Sequence, residues 1–241
     1  MKILPSLQPS PRQSRAFTRI EMLTVVGIIA LLVALVTPAL IDVIRSTRLN
    51  SAGDGLVNRI SLAQQSAISQ GTEVELRFYQ YMDEEAERAG ESHYYAYQVV
   101  QVPIVDGIVR PRALSDVYYI ESGIINSSLL ELSPLLQTTV GQAPIPGTTS
   151  SYVFTPTANN VDPSGVEYAA LRFYSDGSCK MLSADDPGAN AEESAMAYTI
   201  PPLNQSFITL VEARDADSPA PTNFYCVQID SYTGKTRVYR P

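Results

Sequence analysis

A chain of 241 residues with 45% apolar side chains is long enough for one ordinary domain, or for a smaller domain on a long helix, and is too apolar to be disordered throughout. Its 25 acids against 17 bases give a net charge of -8 and a pI near 4.7, the reverse of the basic footprint that a phosphate backbone selects, so no nucleic-acid partner is expected. The 14 Tyr, 17 Pro and 13 Gly, with no Trp, favour strands broken by turns over a helical bundle.

The N-terminus is basic before it is anything else: Lys2, Arg12, Arg15 and Arg19 all precede the first carboxylate, Glu21, as in a targeting segment. Residues 22–41 then run without a charge, and at about 1.5 Å per residue they span roughly 30 Å of hydrocarbon. The basic flank is expected on the cytoplasmic side, with everything after about Asp42 in the periplasm or an equivalent outer compartment. An ordinary secretory signal has an apolar core of about 7–15 residues, shorter than this one, although Thr37-Pro38-Ala39 imitates its cleavage site. Glu21 stands at the membrane edge, where a carboxylate is either a polar flank or a group that needs a partner. Pro38, inside the apolar run, removes a backbone donor and predicts a kink or local loosening.

The stretch Ser14-Arg15-Ala16-Phe17-Thr18-Arg19-Ile20-Glu21-Met22-Leu23, followed by an apolar helix, resembles the N-terminal processing motif of type IV pilins and type II secretion pseudopilins. The resemblance implies cleavage by a prepilin peptidase between Ala16 and Phe17, N-methylation of Phe17 and an assembly role for Glu21. This chain departs from the motif in carrying Ala16 where the family favours Gly, and Arg19 where it favours an apolar residue. A freed amine at Phe17 is a cation, and Glu21 of the same or a neighbouring subunit would neutralise it in lipid.

Beyond the membrane run, Leu49, Ala52, Leu56, Ile60, Ala63 and Ala67 recur at steps of three or four, which predicts a continued helix with one face packed on a globular head. Gly53-Asp54-Gly55 weakens its middle and Gly71 is a plausible stop, so a helix over 17–70 would be about 80 Å long. Residues 72–79 alternate Val74, Leu76 and Phe78 with Glu73, Glu75 and Arg77, the period of a strand with one buried face. Residues 83–91 read as a charged exposed loop or short helix. Further strands are expected at 94–102, 117–120, 152–155, 167–174, 178–182, 207–212, 224–229 and 235–239, with hairpin turns at Asp106-Gly107 and Asp176-Gly177 and a brief capped helix at 128–131. Cys179 and Cys226 have no CxxC spacing and no His cluster, so metal is not expected there; in an oxidising compartment they form either a disulfide or two separate buried thiols.

The run Leu62-Ala-Gln-Gln-Ser-Ala-Ile-Ser-Gln-Gly71 leading into a Val-Glu-Leu strand, then Phe173-Tyr-Ser-Asp-Gly177, then Ile229-Asp-Ser-Tyr-Thr-Gly234-Lys-Thr-Arg-Val238, is similar to the H-type minor pseudopilins of general secretion pathways. The long Tyr- and Pro-rich middle also resembles the Verru/Chthon cassette protein D group of pilin-like proteins. The expected fold class is α+β, a long N-terminal helix packed on a mostly antiparallel β head. The expected organisation is a leader over 1–16, the helix over 17–70 with its membrane segment at about 22–41, and an extracytoplasmic head over 71–241.

The sequence carries no catalytic signature to build on. His93 is the only histidine, no GxSxG elbow accompanies it, and there is no Walker loop, GxGxxG or HExxH. Asp185-Asp186 and Asp215-Ala-Asp217 lack the ligand spacing of a calcium loop. The expectation is therefore a non-catalytic protein without cofactor or metal, a minor subunit of a type IV pilus or type II secretion-like filament. Its partners would be prepilin peptidase, other pilin or pseudopilin subunits and the inner membrane, which a single span would anchor with the N-terminus cytoplasmic. The alternative is a signal-anchored extracytoplasmic binding module that never polymerises, and the Phe17 to Glu21 spacing separates the two.

Overall fold

The computed structural model describes residues 18–82, 91–105, 108–109, 111–141, 166–183 and 198–241. The chain divides into two units, Met1–Ile44 and Arg45–Pro241, and one helix, α1 (Arg19–Gln70), contributes to both.

In the first unit the helix begins at a cap. The Glu21 backbone N–H donates to Thr18 Oγ1 at 3.3 Å, and the Met22 N–H donates to the Thr18 carbonyl at 3.2 Å. Thr18-x-x-Glu21 thus has the sequence of a capping box, with an acid in the first turn where the helix dipole favours it. From Arg19 to Thr37 the mean hydropathy is 2.5 and none of the stretch is buried within the chain, so one helix is long and apolar enough to cross a membrane. Its hydroxyls are satisfied locally: Thr24 Oγ1 donates to the Ile20 carbonyl at 2.9 Å and Thr37 Oγ1 to that of Val33 at 2.7 Å. The backbone is helical through Pro38.

In the second unit the same helix becomes the centre of a core. Leu49, Ala52, Leu56, Ile60, Ala63 and Ala67, the stripe expected from the sequence, are all at most 2% exposed. The helix ends at Gln70, and Gly71 follows with φ of 63°, the left-handed residue that closes a helix. The strands in chain order are β1 (Val74–Met82), β2 (Ser92–Gln101), β3 (Ile104–Val105), β4 (Ile108–Val109), β5 (Arg112–Ala113), β6 (Tyr118–Tyr119) and β7 (Ile124–Asn126). They continue as β8 (Val140–Gly141), β9 (Glu167–Phe173), β10 (Cys179–Leu182), β11 (Tyr198–Thr199), β12 (Phe207–Glu212), β13 (Phe224–Ile229) and β14 (Thr236–Tyr239).

β3 and β4 pair antiparallel with each other, apart from the other strands, and the turn expected at Asp106-Gly107 lies outside the described residues. The others join one antiparallel sheet in the order β11-β10-β9-β1-β2-β7-β12-β13-β14, with β5 and β6 also on β2 and β8 on β9. The fold class is the α+β arrangement that the sequence implied, a long helix packed on an antiparallel sheet. The inner face of the sheet supplies Val74, Leu76 and Phe78 from β1, Leu171 and Phe173 from β9, and Tyr225, Val227 and Ile229 from β13 to the same core as the helix stripe.

Two expectations change. β1 does not have one wet face: Glu75, Arg77 and Tyr79 are as buried as the residues between them. Residues 128–131 make no capped helix; a turn there leads into a 3-10 turn at Pro134–Leu136, whose leucines enter the core. The charged stretch 83–90, the strand expected at 152–155 and Asp185-Asp186 lie outside the described residues.

Candidate functional site

The residues expected to act at the N-terminus divide at the edge of the described chain. Ala16 and Phe17 lie outside it. Glu21 is exposed on the first turn of α1, its backbone held by Thr18. Beyond it Met22, Leu23, Val25, Val26, Ile28 and Ile29 are all exposed, an apolar surface that no described residue of the first unit covers. A carboxylate at the head of such a surface is a group for which lipid offers no partner, whereas a cation brought alongside would.

The head concentrates its buried charge elsewhere, on the outer face of β1, β9 and β11. Glu75 is directly opposite Arg172 in the ladder, and its Oε1 accepts from Arg172 Nε at 2.9 Å and from the Tyr198 hydroxyl at 2.5 Å. Its Oε2 accepts from Arg77 Nε at 2.7 Å, and Arg172 also reaches Glu73 at 2.8 Å. Aromatic rings roof the cluster, Arg77 lying 4.5 Å from the Tyr168 ring centre and Arg172 3.9 Å from that of Tyr198. Burial by itself would raise the Glu75 pKa, but the guanidinium groups of Arg77 and Arg172 and the Tyr198 hydroxyl outweigh it and bring it down to about 2. Arg77 is likewise held charged, above its ordinary value, despite its burial. Every group here is committed to another, so the cluster braces the sheet rather than offering a reactive atom. The sequence signal was the opposite charge at alternate positions, Glu73, Glu75 and Arg77; what it lacked was the partner strand that brings Arg172 and the rings over them.

The two cysteines stand apart. Both are free thiols in this structure, one of the two states the sequence left open. Cys179 belongs to the core that contains Tyr225, Val227 and Ile229 of β13. Cys226 alternates with those three and so points to the opposite face of the sheet. His93 is buried, with Nε2 3.1 Å from Glu91 Oε2 and its ring edge-on to Tyr95. Among the described residues no group of three or more His, Cys, Asp or Glu side chains is placed to hold a metal ion.

No family model matches the chain, and no curated protein matches it. Among solved structures it is similar to the minor pseudopilin EpsH from the type 2 secretion system of Vibrio cholerae, with 9% sequence identity and a TM-score of 0.38 over 80% of this chain and 98% of that one. At that level no residue correspondence follows from the likeness.

Proposed function

We propose that this chain is a membrane-anchored, non-catalytic subunit of a pilus-like or type II secretion-like filament, matured by a prepilin peptidase and assembled through its N-terminal helix. In this reading the peptidase cuts between Ala16 and Phe17, Phe17 is N-methylated, the N-terminus starts on the cytoplasmic side of the inner membrane, and the head lies outside it. The observation that carries the proposal is a single helix with two different surfaces. Arg19–Thr37 is apolar and wholly uncovered, while the Leu49 to Ala67 stripe of the same helix is the core of the head. A secretory signal that is cut away has no reason to be continuous with the core of the protein it delivers. The capped start of that helix beside the Phe17 to Glu21 spacing supports maturation at Phe17.

Two measurements test it. The mass of the mature N-terminal peptide is expected to begin at a methylated Phe17; a start at residue 1, or near Ala39, overturns the maturation step. Glu21→Ala is expected to leave the membrane fraction unchanged, because the apolar run is intact, and to lower filament incorporation at least about tenfold, since an unpaired buried ammonium costs several kcal/mol. Incorporation equal to that of the unaltered chain would remove the role of Glu21 and favour a signal-anchored module that does not polymerise.

A further inference from the structure

The one sheet that packs on α1 narrows at β2 and β7 and so divides into two leaves. β1 and β2 pair from Val74 with Gln101 to Met82 with Ser92, but β2 and β7 share a single ladder pair, Tyr94 with Asn126. Asn126 is fully buried there and neither atom of its side-chain amide has a partner among the described residues, so beyond the single ladder pair the junction rests on packing and on the Tyr94 hydroxyl, which donates to the Leu136 carbonyl at 2.5 Å. One leaf is β11-β10-β9-β1-β2 and the other is β7-β12-β13-β14.

The leaves meet again on the far side of the helix, and no strand ladder joins them at that point. The Cys179 N–H at the start of β10 donates to the Ser231 carbonyl beyond β13 at 2.7 Å. Beneath this bond the side-chain amide of Gln64, from α1, donates to the Gly177 carbonyl of one leaf at 3.1 Å and to the Thr233 carbonyl of the other at 2.7 Å. Both turns use left-handed glycines, Gly177 at φ 86° and Gly234 at φ 62°. A Cβ on Gly234 would overlap Gln64 Nε2 and stand 2.6 Å from the Gly177 carbonyl oxygen, so the approach requires glycine. Among the described residues a hydroxyl adds to these ties: Ser231 Oγ donates to the Pro201 carbonyl, in the connection that follows β11, at 3.2 Å. The connection from β11 to β12 crosses nearby and keeps the leaves covalently linked.

We infer that Gln64 is a latch, and that the head opens along the seam between the β9–β10 and β13–β14 turns while each leaf keeps its own ladder. One amide spans three elements here, so its loss frees both turns from α1 and leaves the Cys179–Ser231 backbone bond to hold the seam, whereas either leaf holds through strands that the latch does not touch. Opening of this kind is local, well below the free energy of global unfolding. Its effect is to uncover the α1 surface around Gln64 and the inward-facing Cys179 without releasing the helix stripe from β1.

The two thiols are reporters placed for the test, Cys179 at the seam and on the core face, Cys226 on the opposite face of β13. Full-length chain in detergent micelles is labelled with a small maleimide in the absence of denaturant, and each cysteine is followed by peptide mass. Gln64→Ala preserves helix propensity and is expected to speed labelling of Cys179 about tenfold, the scale of two lost hydrogen bonds, with Cys226 unchanged. Gly234→Ala, which leaves the sequence of α1 unchanged and displaces the Gln64 amide from the turn side, is expected to do the same. Unchanged Cys179 labelling in both variants, or equal acceleration of both cysteines, overturns the latch, the second result because it signifies global loosening.

Discussion

Glu75 and Gly53 both contradict a simple reading of their residue type. A glutamate alternating with Val74 and Leu76 reads as solvent-facing, yet Glu75 is buried between two guanidinium groups and keeps its charge, with a pKa of about 2 against an ordinary 4.5. Because the folded value is the lower one, its contribution is full above about pH 4.5 and is lost as the pH falls towards 2, and integrates to about 3 kcal/mol. Urea unfolding followed from pH 6 to pH 2.5 is expected to show that loss, and Glu75→Gln to flatten it. The variant is also expected to be less stable at neutral pH by about 3–5 kcal/mol, since Arg77 and Arg172 lose their shared partner. Gly53 reads as a helix defect that Ala would mend, by about 1 kcal/mol on propensity alone. In the fold the Tyr225 ring lies on that glycine, where an added Cβ would overlap it. The ring has little freedom to yield, because its hydroxyl donates to Asp54 at 2.6 Å and Arg240 stacks 4.6 Å from its centre. Gly53→Ala is therefore expected to destabilise the head by about 1–3 kcal/mol, the range for an overfilled core, and a gain in thermal stability would refute it. Neither behaviour was legible in the sequence, since both depend on strands more than ninety residues away.

At the scale of elements, legibility follows how local the cause is. The buried stripe of α1 is a repeat of 3.6 residues within one segment, and Leu49 to Ala67 emerged residue for residue. β1 also lies where its alternation put it, and β9, β12 and β13 lie where strands were expected, because their inner faces bury on the helix. β5 and β8 are two residues each, too short to carry a period, and exist because β2 and β9 offer them backbone groups to pair with, whereas β6 keeps two residues of the strand expected at 117–120. At 128–131 the capping pattern lost to tertiary packing, which draws Leu135 and Leu136 into the core through Pro134 instead. The division of α1 into a covered and an uncovered half yields a paired prediction. Leu56→Ala, at a fully buried position, is expected to cost the head about 2–5 kcal/mol in denaturant unfolding, which the tyrosines report in a protein without Trp. Leu32→Ala, on the uncovered half, is expected to leave that transition where it was. Equal losses from both would mean that the head's stability depends on the apolar half as well.

For the molecule as a whole, the cysteines test how the sheet closes on the helix. From the sequence both thiols fall in strands of one outer domain, and that alone permits a bridge. The sheet order separates them: β10 belongs to the leaf around β1 and β9, and β13 to the leaf around β12 and β14. The leaves approach at Cys179 and Ser231, five residues beyond Cys226 along the chain, and along β13 the side chain of Cys226 is turned away from the core that holds Cys179. Bringing the sulfurs within bonding distance would require β13 to rotate about its axis, which would expose Tyr225, Val227 and Ile229. Burial also pushes both thiols upward in pKa, Cys179 the more strongly, so neither is poised to attack. Folded protein exposed to a mild oxidant and then denatured is therefore expected to titrate two free thiols, with the mass of the reduced chain. Without denaturant, Cys226 is expected to react before Cys179, in keeping with its greater exposure. An intramolecular bridge formed under native conditions would show that the two leaves are arranged differently around α1, and the latch at Gln64 would fall with it.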